Sequence, residues 1–200
     1  MTDSRDDPFI ECPRRRALLR GTFEVALLGS IFSPMLASNE ANPDPRKRPP
    51  QVGDELVTVN DDGDVEPVSL AAIKRHAAPT MAYPREATSK AVRDRSRLNQ
   101  ILLLHFDPAE LSAETRAVAV NGIVAYSGIC THAACGVSDW DAKNLRLVCP
   151  CHASQYDPRQ HAIRVAGPAP RALPTLPLKQ VGQLLVVAGP FSGPVGAGKA

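Results

Sequence analysis

Residues 149–156 read CPCHASQY, a stretch that places two cysteines and a histidine within four positions. A second stretch, CTHAAC at residues 130–135, also holds two cysteines and one histidine. Together they give the pattern C-x-H, sixteen intervening residues and C-x-x-H, with one further cysteine in each stretch. Thiolates and imidazoles bind zinc and iron–sulfur centres alike. The pattern therefore predicts a metal site, a disulfide, or both.

The remaining sequence favours an all-β fold. The 200-residue chain has 19 prolines and 13 glycines, and short apolar runs are separated by turn residues. The predicted strands lie in residues 55–59, 100–106, 117–127, 145–148 and a hairpin within 176–189 that turns at 180–182. Several short strands of this kind predict an antiparallel barrel or sandwich. With 23 basic and 21 acidic residues the net charge is +2, so we expect no nucleic-acid partner.

The N-terminal segment is typical of a targeting signal. Arg15 and Arg16 precede a 17-residue apolar stretch at 21–37, in a pattern that resembles the twin-arginine export motif. The alternative is an ordinary buried helix with a basic start. The stretch is shorter than the roughly 20 residues of a spanning helix, yet no clear cleavage site follows it. A cleaved signal and a retained membrane anchor therefore both stay open, and either places the protein in a bacterial periplasm, where a disulfide persists.

These features divide the chain into four segments. We expect a signal or anchor helix at 1–41, a linker and irregular insertion with short strands at 42–98, a domain that carries both cysteine–histidine boxes at 99–190 and a flexible tail at 191–200. Within the second segment, residues 71–98 show no sustained hydrophobic period, which predicts an irregular region with one short helix. A helical turn is predicted where Ser112 and Thr115 follow the 100–106 strand.

The two cysteine–histidine boxes resemble those of the Rieske iron–sulfur family, and the resemblance covers residues 99–190. It implies an antiparallel β sandwich or barrel with a small cluster-binding subdomain, and one [2Fe–2S] cluster per chain. It implies that Cys130 and Cys149 bind one iron, and that His132 and His152 bind the other. The two remaining cysteines, Cys135 and Cys151, would then form a disulfide, as in the higher-potential members of the family.

Further residues gain roles through the same resemblance. Hydroxyl hydrogen bonds to cluster or ligand sulfur are implied for Ser154 and Tyr156, whose alternative roles are a polar loop residue and a packed aromatic. Gly167, Pro168, Ala169 and Pro170 resemble the loop that covers the cluster, with an ordinary surface turn as the alternative. The sequence departs from the pattern of quinol-oxidising complexes at Ala133 and Ala134, which replace Leu-Gly, and at Ala153, which replaces Gly.

The function implied is electron transfer without an independent substrate-converting site. Partner proteins would be a cytochrome or a larger oxidoreductase subunit, with quinol as a candidate donor and the membrane reached through the N-terminal segment. Two versions compete: the iron–sulfur subunit of a ubiquinol–cytochrome c reductase, and the small subunit of a periplasmic molybdenum oxidase such as arsenite oxidase. A zinc-stabilised binding module is the alternative from a different class, because it needs only the same ligands in a tetrahedron.

Overall fold

The structure is a computed structural model that describes residues 44–198, and these residues form an almost entirely antiparallel β fold. The strands are β1 Glu55–Val59, β2 Val65–Pro67, β3 Thr80–Arg85, β4 Ile101–His105, β5 Ile123–Ser127, β6 Asp139–Asp141, β7 Arg146–Cys149, β8 Ser154–Asp157, β9 Ile163–Ala166, β10 Leu178–Val181 and β11 Leu184–Val187. One short helix, α1, spans Ala113–Ala117, and 3₁₀ turns cover Pro45–Lys47, Leu70–Ala72, Arg97–Asn99, Pro108–Glu110 and Pro158–Gln160. The predicted all-β class is confirmed.

The predictions for the leader, including Arg15 and Arg16, lie outside the described residues. Within residues 44–198, none of the helices has the length and hydrophobicity needed to cross a bilayer.

The larger sheet forms a nearly closed barrel with the strand order β10-β11-β1-β3-β4-β5, and β2 pairs with β1. Its interior is an apolar core to which β1, β4, β5, β10 and β11 all contribute. The predicted strand at 100–106 reads as a continuous apolar run because both faces of β4 are buried. Ile101 and Leu103 face the barrel core, whereas Leu102 and Leu104 face a second core under the smaller sheet.

The smaller sheet has the order β6-β7-β8-β9 and lies in the chain between β5 and β10 of the barrel. The chain leaves and re-enters the barrel at adjacent positions. Ser127 at the end of β5 donates its backbone N–H to Pro174 over 2.8 Å, and Tyr126 pairs with Thr175. The predicted helical turn is present as α1, where the Ser112 hydroxyl accepts from the Thr115 N–H at the N-cap.

Residues 71–98, which show no sustained hydrophobic period, contain one regular strand. This strand, β3, pairs with both β1 and β4, in the middle of the larger sheet. Pro84 hid this strand, because proline lacks the N–H that an interior strand ordinarily donates. Its carbonyl still accepts a bond of 2.8 Å from the Arg93 N–H.

Residues 191–198, for which a flexible tail was predicted, make defined contacts with the rest of the fold. Ser192 donates its N–H to Thr175 and accepts the Thr175 N–H on its hydroxyl, both over 2.9 Å. The Arg171 guanidinium donates to the carbonyls of Gly196 and Gly198. Small residues escape hydrophobicity-based prediction but still pack through their backbones. The hairpin within 176–189 is confirmed, with its two-residue turn at Gly182 and Gln183, so β10 extends through Gln180 and Val181 of the predicted turn.

Candidate metal centre

The two cysteine–histidine boxes form two loops at one end of the smaller sheet. The first loop, residues 130–135, closes on itself through a bond of 2.8 Å from the Cys130 N–H to the Cys135 carbonyl. The second loop, residues 150–153, is the hairpin connection between β7 and β8, in which Cys149 pairs with Ser154. The strands therefore fix both ends of the second loop, and a backbone hydrogen bond joins the two ends of the first.

A disulfide joins Cys135 of the first loop to Cys151 of the second. The sulfur of Cys149 lies within 4.8 Å of both disulfide sulfurs. These three sulfurs do not form a metal site, because the bonded pair supplies no thiolates. Among the described residues, Cys130 and Cys149 are the free cysteines, and both are buried.

The two histidines of the boxes meet at the outer end of the loops. The Nδ1 atoms of His132 and His152 are 3.2 Å apart, and the rings are 4.7 Å apart between centroids at 88°. His132 is half-buried and His152 is exposed. Two buried thiols and two imidazoles at the surface are a donor set that fits a [2Fe–2S] cluster with mixed ligation. A Rieske domain binds such a cluster, and the arrangement of donors in this chain fits it.

The sulfur atoms differ in their surroundings. Burial opposes ionisation of Cys130. Hydrogen bonds from the Tyr156 hydroxyl and the backbone N–H of His132 outweigh this effect and lower the pKa of Cys130. Burial, together with the nearby sulfur of Cys130, raises the pKa of Cys149. Burial also raises the pKa of Tyr156, so its hydroxyl keeps the proton that it donates. That hydroxyl lies 3.1 Å from the Cys130 sulfur.

Ser154 and the loop at 167–170 are in direct contact. The buried Ser154 hydroxyl accepts the Ala169 N–H over 3.2 Å. A Cβ on Gly167 would lie 2.5 Å from the Cα of Ser154, so only glycine permits this approach, and the φ of Gly167 is +82°. Pro168 and Pro170 are exposed on either side of the buried Ala169. The loop therefore packs on the start of β8, and the roles of Ser154 and of this loop toward the cluster stay predictions.

The alanines that replace glycine occupy left-handed backbone conformations. Ala134 has φ +55° and Ala153 has φ +56°. Because a side chain is disfavoured in this region, these two positions carry backbone strain that glycine would remove. Ala133 is not among the residues with positive φ and is exposed.

Three residues that touch the centre were not predicted from the sequence. The Thr131 hydroxyl donates to the Arg171 carbonyl over 2.8 Å and lies 3.5 Å from the Tyr156 hydroxyl. The Arg97 guanidinium donates to the Ala134 carbonyl. Thr131 lies inside the first box and could have been suspected from its position. The contacts of Arg97 and Arg171 could not be predicted from the neighbouring sequence, because only the complete fold brings these residues to the first loop.

Comparison with known proteins identifies the same boxes. Residues 105–177 match the family model of the Rieske [2Fe-2S] domain, and the resemblance inferred from the sequence is thereby confirmed. A putative respiratory nitrate reductase subunit Rieske from Haloferax mediterranei is 37% identical over 139 residues, which are 68% of this chain and 59% of that protein. The cytochrome bc1 complex Rieske iron-sulfur subunit from Corynebacterium diphtheriae is 49% identical over 73 residues, which are 36% of this chain and 18% of that protein.

Among solved structures, the soluble domain of the Rieske protein II from Sulfolobus acidocaldarius aligns with a TM-score of 0.36 at 23% identity. The alignment covers 48% of this chain and 66% of that one.

Proposed function

We propose that this chain, in which residues 105–177 form a Rieske [2Fe–2S] domain, is the iron–sulfur electron-transfer subunit of a respiratory oxidoreductase. The observation that carries the proposal is the convergence of two free thiols and two imidazoles from two loops that a disulfide joins. We assign Cys130 and Cys149 to one iron, and His132 and His152 to the other. When bound, a cluster with this ligand set exchanges one electron at a higher potential than an all-cysteine cluster does.

The protein side of the site favours the reduced form. The Tyr156 hydroxyl, held 3.1 Å from the Cys130 sulfur, places a hydrogen-bond donor where negative charge grows on reduction. Burial of both thiols excludes water from that end of the site. Electrons leave on the opposite side, since His152 is exposed and His132 is half-buried at the same surface. A redox partner protein therefore docks at the histidine end of the two loops.

The residue beside His132 favours one candidate for the larger complex. Extent of similarity does not separate the candidates, because the relative named as a respiratory nitrate reductase subunit matches over 68% of this chain at 37% identity, and one cytochrome bc1 subunit matches over 91% at 28% identity. Ala133, which is exposed next to His132, replaces the leucine expected in quinol-oxidising complexes. We therefore place the chain with a reductase or oxidase partner, and keep a ubiquinol–cytochrome c reductase as the second candidate. The chain spans only part of each relative.

We place the protein in the periplasm. Support comes from the twin-arginine pattern at Arg15 and Arg16 and from the disulfide, which an oxidising compartment preserves. Fractionation of bacterial cells that express the full chain tests this location. The wild type is expected in the periplasmic fraction, and a variant with both arginines changed to lysine is expected to accumulate in the cytoplasm. Equal distribution of the two proteins would refute export by this route.

The ligand assignment is tested on anaerobically purified full chain. We expect two iron atoms per chain, a rhombic EPR signal after reduction, and two inequivalent irons by Mössbauer spectroscopy. The variants Cys130→Ser and His132→Asn are expected to lose this signal, and His76→Asn, which changes an exposed histidine outside the loops, is expected to keep it. A colourless protein that holds one zinc ion would overturn the proposal in favour of a zinc-stabilised module.

A further inference from the structure

The first loop carries His132 close to a strained backbone position. Ala134 donates its N–H to the Cys130 carbonyl over 3.1 Å, and its φ of +55° is unfavourable for alanine. A loop with a strained residue two positions from His132 needs support from outside to keep one conformation.

Arg97 gives the first support. Its guanidinium donates to the Ala134 carbonyl, on the strained residue itself. Arg97 begins a 3₁₀ turn that ends at the buried Asn99. The Asn99 amide in turn donates to the carbonyls of Arg48 and Arg93, over 2.7 and 2.9 Å. Asn99 therefore holds the turn that carries Arg97 in place, although Arg97 itself is exposed.

The C-terminal segment gives the second support. A Cβ placed on Gly196 would lie 3.3 Å from the Ile129 side chain and 3.4 Å from the Cβ of Ala134. The backbone of Gly196 therefore lies against the outside of the first loop, with a φ of +77° that favours glycine.

Arg171 ties this segment to the loop. Its guanidinium donates to the carbonyls of Gly196 and Gly198, over 2.6 and 3.1 Å. Its own carbonyl accepts the Thr131 hydroxyl over 2.8 Å. Arg171 therefore joins the C-terminal segment to the first loop.

We infer that Arg97, Arg171 and Gly196 form a clasp that positions the first loop, and with it His132. Two parts of the chain outside the cysteine–histidine boxes, the 71–98 region and the C-terminal segment, thereby gain a role at the centre. The clasp fixes the backbone that glycine in place of Ala134 would leave free to move. This inference rests on the proposed ligand set only for its effect on the cluster, since the contacts themselves are present in the protein alone.

Two matched pairs of variants of the full chain test the clasp. Arg97→Gln is compared with Arg95→Gln, which removes the same charge two residues away without contact to the loop. Gly196→Ala is compared with Gly63→Ala, because both glycines have a positive φ, of +77° and +86°, but a Cβ on Gly63 meets no atom within 4 Å and one on Gly196 is crowded. The second pair changes no charge and strains both backbones, so a difference between its two members arises from the contact.

The first measurement is hydrogen–deuterium exchange of a peptide that covers residues 130–135 in the disulfide-intact protein without iron. We expect exchange to rise roughly three- to tenfold in Arg97→Gln and Gly196→Ala, and to stay unchanged in the two controls. Equal exchange in all four variants would refute the clasp. It would leave the ligand assignment standing, because EPR of the wild type tests that assignment separately.

The second measurement is made on the iron-loaded protein. In the clasp variants we expect bleaching of the visible absorbance to be roughly three- to tenfold faster, and the midpoint potential to differ from that of the matched control. A merely structural contact would change the unfolding temperature and leave the potential of the folded protein unchanged. That result would refute a positioning role for the clasp.

Discussion

Replacement of the two strained alanines by glycine tests the backbone geometry of the cluster loops. Ala134 and Ala153 adopt φ +55° and +56°, where an L-residue pays roughly 1–2 kcal/mol. Glycine removes this cost but loses roughly 0.5–1 kcal/mol through the greater freedom of the unfolded chain. Each substitution is therefore expected to raise the free energy of unfolding by about 0.5–1 kcal/mol. For a chain of this size, that is roughly 1–4 °C in the unfolding temperature.

The neighbouring residue supplies an internal control of opposite sign. Ala133 is exposed and has no positive φ, so Ala133→Gly gains nothing in the folded state and is expected to destabilise by about 0.5–1 kcal/mol. Urea unfolding followed by circular dichroism, with the disulfide intact and without iron, measures all three variants on one scale. If Ala134→Gly and Ala153→Gly were as destabilising as Ala133→Gly, the left-handed geometry of the loops would be refuted.

Three further predictions concern other contacts. Tyr156→Phe removes the hydroxyl 3.1 Å from the Cys130 sulfur, and is expected to lower the midpoint potential by about 50 mV in protein-film voltammetry. Partial burial raises the pKa of Glu55, but hydrogen bonds from two cationic partners outweigh it, so its folded pKa is lowered. Its stabilisation is therefore present above the ordinary carboxyl pKa and lost as the pH falls through the folded value. Glu55→Gln should cost about 1 kcal/mol of unfolding free energy at neutral pH, and progressively less in acid. Paired Ser substitutions at Cys135 and Cys151 open a loop with a sequence separation of 16 residues, and should cost about 3 kcal/mol in urea unfolding.

Each of these has its own control. Tyr83→Phe removes a hydroxyl bonded to Gln100 and should leave the midpoint potential unchanged, so an equal shift in both tyrosine variants would contradict the role of Tyr156. Glu66→Gln changes an exposed carboxylate and should leave the unfolding free energy unchanged throughout the titration. A cost of Glu55→Gln that persists at about pH 2, below the range in which carboxylates titrate, would contradict the electrostatic origin. For the disulfide, wild-type protein treated with reductant should match the double variant.

The sequence predicted the parts of the fold that local patterns determine. The strands at 55–59 and 145–148 show alternation or β-branched residues, and β4 follows from an apolar run. The 80–85 strand could not be found in the same way, because Pro84 contradicts an interior strand and only the pairing with two neighbours compensates.

The centre shows the same limit. Spacing alone identified the cysteines and histidines of the two boxes as candidate ligands, because ligands on short loops lie close in sequence. The positive φ of Ala134 could not be predicted, because alanine is a residue for which a negative φ is the default. Arg97 and Arg171 contact Ala134 and Thr131 of the first loop, from which they are separated by 37 and 40 residues in sequence, so these contacts depend on the complete fold.

The junction between the two sheets has a consequence for how such a chain diversifies. The part that carries the boxes departs from the barrel after Ser127 and returns at Pro174, and these residues are hydrogen-bonded to each other. The two chain crossings are therefore adjacent, but the two sheets also share a core, because Leu102 and Leu104 of β4 pack with Leu147 and Tyr156 of the smaller sheet. Changes to β4 would therefore disturb the strands that carry the second box, whereas insertions at the far edge of the larger sheet would leave both boxes in place.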